Sequence, residues 1–237
     1  MIQTKDMRGI ILRGIERANK QHLEWTKNHW VSDYGAEGLI QVLIADEIYK
    51  AGGGDLGVFL EPNVSEFGNK SEASRLERKE IRSTARPDIC TYTRDNDVPH
   101  IIEVKRKWEK APVDQDIVRC ANFVTILRNM GLEAAYCAVF LHYDGTRDTG
   151  SRRAFFSLDG EAAADAKVRV EAHLEEKARQ TLSDNDYKAR AIDVKAAVGE
   201  EFGFEINTDW PEEEWMVGAE CDRFRWRAAV IEIVRRA

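Results

Sequence analysis

The chain has 237 residues and a mass of 27.0 kDa, enough for one sizeable core or two small ones. Apolar residues are 43% and charged residues 32%, which excludes a disordered chain, and no apolar run approaches the roughly 18–20 residues that span a bilayer. The net charge of −7 excludes a small protein that coats DNA by bulk electrostatics, but leaves room for a nucleic-acid enzyme with local basic patches.

The first residues, MIQTKDMRG, lack the apolar stretch and small-residue cleavage site of a secretory leader. Residues 5–28 carry Met7, Ile10, Ile11, Ile15, Leu23 and Trp25 at helical spacing, with Gly14 as a weak point. A second helix is predicted over 35–50, with Leu39, Ile40, Leu43, Ile44 and Ile48 on one face. Gly52-Gly53-Gly54 ends it. Val58–Val64 reads as a short strand, and the charged segment 66–86 as a mobile loop or hairpin extension. Ile89–Thr93 and the HIIEVK run read as strands joined by a turn at RDNDVP. A helix opens at Pro112 and Asp114 and closes before Gly131. Ala134–His142 is a near-continuous apolar run, the pattern of a strand buried in the centre of a sheet, and Phe155–Leu158 reads as a further short strand.

Residues 161–182 form a charged helical stretch. Two β-like runs follow, Lys188–Val198 and Arg225–Val234, with the acidic DWPEEEW between them. These runs are expected to pair as a partly exposed ribbon or to join a sheet edge, although the alanines of ARAIDVKAAV also suit a helix. No Pro/Gly/Ser-rich linker appears, so one domain is expected: an N-terminal helix in 1–30, a core over 31–160 and a C-terminal α+β extension over 161–237. The four cysteines, Cys90, Cys120, Cys137 and Cys221, form no CxxC and read as buried thiols of a cytoplasmic protein.

The segment that carries chemistry is Arg86-Pro87-Asp88-Ile89, followed by Glu103-Val104-Lys105. On a strand, Glu103 and Lys105 project to one side and Val104 to the other. Charges interrupting an apolar internal strand are costly unless they are paired or metal-bound. A turn near Asp95–Val98 makes the two strands antiparallel neighbours and can bring Asp88 toward Glu103. Two converging carboxylates beside a lysine suit hydrolysis assisted by a hard divalent cation.

Pro87-Asp88 with Glu103-x-Lys105 resembles the PD-(D/E)xK motif of the restriction-endonuclease-like nuclease superfamily, and the resemblance covers about residues 35–145. It implies an α/β core with a mixed central sheet flanked by helices, and Mg²⁺-dependent hydrolysis of DNA, with Mn²⁺ able to substitute. It also implies that Asp88, Glu103 and the carbonyl of Val104 are metal ligands and that Lys105 activates water. Members often add a glutamate from the first core helix, for which Glu37 is the best match and Glu47 the competitor. Glu61 matches an acid that some members carry ahead of the aspartate. Gln115 resembles the polar residue that members place beside the lysine, although Arg119 stands where an aromatic would follow.

Arg86, Arg106, Lys107 and Lys110 are the basic residues placed to neutralise phosphates, with Gln115 beside them, and Arg75, Arg78, Lys79 and Arg82 add to the charged loop. A third patch is formed by Arg147, Arg152 and Arg153. Trp108 suits a strand-end cap better than a base-stacking platform. Two other classes stay open: a catalytically inactive nuclease fold that only binds nucleic acid or a partner, and a structural subunit of an assembly or homo-oligomer using residues 5–28 and the acidic 209–215 loop. Glu103 and Lys105 as a plain surface ion pair is the simplest alternative for the motif itself.

Overall fold

Two parallel strands need a crossover between them, and the chain has a helical segment between the HIIEVK and AAYCAVFLH strands. The computed structural model describes residues 4–26, 31, 37–62, 86–95, 97–127, 131–145, 163–185, 192–205 and 223–236. Helices α1 (Thr4–Thr26) and α2 (Glu37–Gly52) precede β1 (Gly57–Leu60), β2 (Ile89–Tyr92) and β3 (His100–Lys105). Helix α3 (Lys110–Ile126) leads to β4 (Ala134–Gly145), and α4 (Ala163–Asp184) leads to β5 (Ile192–Glu205) and β6 (Arg223–Arg235). The strands form one six-stranded sheet in the order β1-β2-β3-β4-β6-β5. All neighbours are antiparallel except β3 and β4, which run parallel and are joined through α3.

Side-chain alternation sorts the core into two layers. On one face Cys90, Ile101, Cys137, Val139 and Ile231 pack against Val113, Ile117 and Val124 of α3 and Val170 and Leu174 of α4. On the other, Ile89, Ile102, Val104, Tyr136 and Val230 pack against Met7, Ile11 and Ile15 of α1 and Ile40, Ile44 and Ile48 of α2. Strand β4 lies between these layers with Ala134 to Leu141 buried, which is why its sequence is apolar without alternation. Gly14, the weak point of α1 by propensity, is what lets the two helices touch: a Cβ there would sit 2.6 Å from the Ile44 Cα.

The C-terminal runs are both strands. The helical alternative for ARAIDVKAAV is overturned over Ile192–Val198, because Val194, Ala196 and Val198 alternate into the α4-facing layer. The two runs pair with each other and join the sheet, but β6 lies inside it, next to β4, rather than in an exposed ribbon. The outer edge of β5 is closed by side chains. Val198 N–H donates to Glu171 Oε1 (3.0 Å), Ala196 N–H to Glu175 Oε1 (3.1 Å), and Arg179 Nη2 donates to the Val194 carbonyl (3.0 Å). Glu200 N–H donates to Glu16 Oε1 of α1 at 3.3 Å. Helix residues four apart rise about 6 Å, close to the roughly 6.6–6.8 Å between alternate strand residues, so one helix face can follow one strand edge. Such a covered edge offers no template for pairing with another chain.

Residues 66–85 of the expected 66–86 loop, the strand Phe155–Leu158, the Arg147, Arg152 and Arg153 patch, and DWPEEEW lie outside the described residues. Among the described residues, no helix is long and apolar enough to cross a membrane.

Candidate active site

Strands β2 and β3 pair with Ile89 opposite Ile102 and Cys90 opposite Ile101. Continued by one residue, this register sets Asp88 opposite Glu103. Ile101 faces α3, so alternation carries Glu103 and Lys105 to the same side. The cluster therefore forms at the C-terminal end of β3, under α3, with the start of α2 reaching it from the opposite layer.

Asp88 joins the two halves of the motif directly: its Oδ2 accepts a hydrogen bond from the Val104 N–H at 2.6 Å. Burial pushes its carboxyl up to about 6, against the lowering effects of the Val104 N–H and the Lys105 ammonium. The Asp88 carbonyl accepts a bond from the Glu61 N–H at 2.9 Å. Glu61 thus meets Asp88 through its backbone, at a left-handed φ of 47°, while its residue surface is exposed.

Glu103 is 1% exposed. Burial, reinforced by the neighbouring Asp88 charge, holds its carboxyl well above the usual range, opposed by Arg119. Arg119 Nε lies 3.2 Å from Glu103 Oε1, an ion pair outside hydrogen-bond geometry, and this buried oxygen accepts no hydrogen bond. Arg119 Nη2 also donates to the Arg86 carbonyl at 2.6 Å, so one guanidinium spans both halves of the motif.

The Lys105 ammonium donates to the Val104 carbonyl at 3.0 Å and lies 2.8 Å from Asp116 Oδ2 and 3.8 Å from Glu37 Oε1. Burial pulls its pKa down, but the Asp116 contact, with the charges of Asp116, Glu37 and Asp88, outweighs burial and the net direction is up. Glu37 also accepts a bond from the Arg106 N–H at 3.3 Å. Its competitor Glu47 is used elsewhere, pairing with Arg13 at 3.6 Å and Arg17 at 3.2 Å between α1 and α2.

Of the residues expected to meet phosphate, Arg86, Lys110 and Gln115 are exposed, Arg106 is half-buried, and Lys107 pairs with Glu109 at 2.8 Å. Gln115 faces outward, and its neighbour Asp116 meets the lysine instead. Sequence reasoning missed Asp116 and Arg119. Asp116 precedes Cys120 by one helical turn, so an acid on the apolar stripe of α3 was the available signal. Trp108 caps the strand end as expected: its backbone N–H donates to the Phe140 carbonyl at 3.1 Å and its ring packs on the core. Cys90, Cys120 and Cys137 are buried and unpaired by disulfides, and burial pushes their thiols up.

Among the described residues, no group of three or more His, Cys, Asp or Glu is gathered tightly enough to hold a cation as it stands. The donor set nevertheless fits a hard divalent ion. Asp88, just ahead of β2, and Glu103 of β3 are oxygen donors, both disfavoured as anions, and Glu103 has a buried oxygen without a hydrogen bond.

The raised Asp88 pKa has a consequence for the metal-free protein. A carboxyl that binds its proton more tightly folded than unfolded adds stability below its unfolded pKa, near 4, and loses it as pH rises through about 6. Asp88→Asn, whose amide oxygen can keep the Val104 bond, is expected to match wild type near pH 4. By pH 7 it should be more stable, by on the order of 2 kcal/mol. Urea denaturation in EDTA across this window checks the divergence, and parallel stability curves would refute it.

No protein-family model, curated protein or solved structure matches the chain.

Proposed function

We propose that the chain is a divalent-metal-dependent nuclease of PD-(D/E)xK type that hydrolyses phosphodiester bonds in DNA. The observation that carries this reading is the register of β2 and β3, which sets Asp88 opposite Glu103 with Lys105 on the same face. The order of a helix, three antiparallel strands, a helix and a strand parallel to the third supports a restriction-endonuclease-like core.

Asp88, Glu103 and the Val104 carbonyl would hold Mg²⁺ or Mn²⁺, with Glu37 at the margin. Such an ion supplies Lewis-acid stabilisation of charge on the phosphate. Lys105 keeps a cation beside the reacting phosphate, where it orients water and stabilises developing negative charge. Glu37 and Asp116 hold that ammonium from α2 and α3. Arg86, Arg106, Lys107 and Lys110 offer phosphate contacts on the exposed side, with Gln115 as a further polar contact. The buried free thiols suit a cytoplasmic setting.

A second reading, a nuclease-like fold that binds without turnover, is favoured by one observation. Arg119 neutralises Glu103 and Asp116 neutralises Lys105, so internal partners already answer the charges on β3. Incubating the full chain with linear, circular, single- and double-stranded DNA and RNA, with Mg²⁺, Mn²⁺ or EDTA, separates the two. The nuclease reading expects DNA cleavage that EDTA stops. Binding without cleavage under either metal favours the second.

A further inference from the structure

Asp116 is 6% exposed, on a face of α3 that otherwise buries Val113, Ile117 and Cys120. A carboxylate there is costly without a partner, and an apolar residue of similar size would often serve packing equally well or better. What the carboxylate adds is a hold on one side chain. Lysine has a long flexible stem and loses much rotamer freedom when fixed. Around the Lys105 ammonium stand three oxygens from three elements: Asp116 Oδ2 from α3 at 2.8 Å, the Val104 carbonyl from β3 at 3.0 Å, and Glu37 Oε1 from α2 at 3.8 Å. Of the two side chains that α2 and α3 bring to it, Asp116 is the nearer and the more buried, 8% exposed against 36% for Glu37.

We propose that Asp116 is a positioning residue of this centre, fixing the Lys105 ammonium at the C-terminal end of β3 beside Asp88 and Glu103. The inference rests on the hydrolytic reading for its consequence in turnover, but the contact itself can be tested without activity. Gln115, one residue earlier and exposed, is not the residue that meets the lysine. The substitution Asp116→Asn keeps the shape and removes the charge, while Asp116→Glu keeps the charge on a longer stem.

The experiment uses the full-length wild type and both variants. Amines are labelled with an acetylating reagent, and the rate at each lysine is read by mass spectrometry. Lys105 is expected to label at least about fivefold faster in Asp116→Asn, with Lys107 and Lys110 unchanged, because these two lysines do not depend on Asp116; the supporting contact is lost and the side chain is freed. Asp116→Glu is expected to restore part of the protection. In cleavage assays with Mg²⁺, Asp116→Asn is expected to lower kcat by roughly 10–100-fold with KM within about twofold, the size typical of losing a residue that orients a reacting group. Labelling of Lys105 at the wild-type rate in Asp116→Asn overturns the proposal, as does unchanged kcat in a cleaving enzyme. If wild type cleaves nothing yet Lys105 labelling rises selectively, the hydrolytic reading fails and the positioning role stands.

Discussion

Glu103→Gln and Lys105→Ala are both expected to lose divalent-dependent cleavage of DNA, each by at least about 10²–10³-fold, the scale set by removing one charge-stabilising group from a reacting centre. The two variants should differ in stability. Glutamine keeps the shape of Glu103 and removes an anion that burial already disfavours, and the Arg119 left behind is 34% exposed and can be solvated. Lys105→Ala strips the counter-charge from the buried Asp116; removing one partner of a fully buried pair costs about 3–5 kcal/mol, and the cost here is expected below that because Lys105 is 24% exposed. That variant should fold but melt lower. Binding of DNA without metal should persist in Glu103→Gln, because removing a negative charge near phosphate cannot weaken attraction. Initial rates on labelled duplex, with circular dichroism melts on the same samples, check both parts. Undiminished cleavage in both variants would move the active centre elsewhere.

A fragment ending at residue 160 is expected not to fold. Strand β6 supplies Ala228 and Val230 to one core layer and Ala229, Ile231 and Ile233 to the other. It pairs with β4 from Ala134↔Val234 to Gly145↔Arg223. Burying Val230, Ile231 and Ile233 alone contributes roughly 5–9 kcal/mol, comparable to the roughly 5–15 kcal/mol net stability of a typical domain. Loss of β6 also leaves Glu232 missing from its 3.2 Å pairing with Arg8 and turns β4 into an apolar edge. Far-ultraviolet circular dichroism and urea titration of the 1–160 fragment should show no cooperative transition. A two-state transition with wild-type midpoint would make the C-terminal region an independent accessory.

The pattern of the elements was legible where physics is local. Helical spacing located α1 and α2, and the near-continuous apolar run of Ala134–His142 marked the central strand because both faces are covered from Ala134 to Leu141. Strand alternation put Glu103 and Lys105 on one side before any register was known. Three things depended on tertiary contacts. The place of β6 inside the sheet could not be read from a run as charged as RFRWRAAVIEIVR, whose buried half only becomes evident against β4 and β5. Glu37 was already the better match in the sequence, but the pairing of its competitor Glu47 with Arg13 and Arg17 of α1 is a tertiary contact that no local pattern shows. Asp116 and Arg119 escaped because a helix position facing a strand charge has no sequence motif of its own. Their only local mark was a charge on or beside an apolar stripe. The Gly14 weakness pointed the opposite way from its role, since propensity measures an isolated helix and Gly14 serves a helix crossing.

The central claim is that Asp88 and Glu103 together form a divalent-cation centre. Titrating Mn²⁺ into the full-length protein by electron paramagnetic resonance, with Asp88→Asn and Glu103→Gln in parallel and Lys105→Ala as the control, tests it most directly. The account predicts saturable binding by wild type and Lys105→Ala, and at least about tenfold weaker binding in each carboxylate variant, because a hard cation needs charged oxygen ligands. Wild type that shows no saturable binding, or carboxylate variants that bind Mn²⁺ as tightly as wild type, would contradict it.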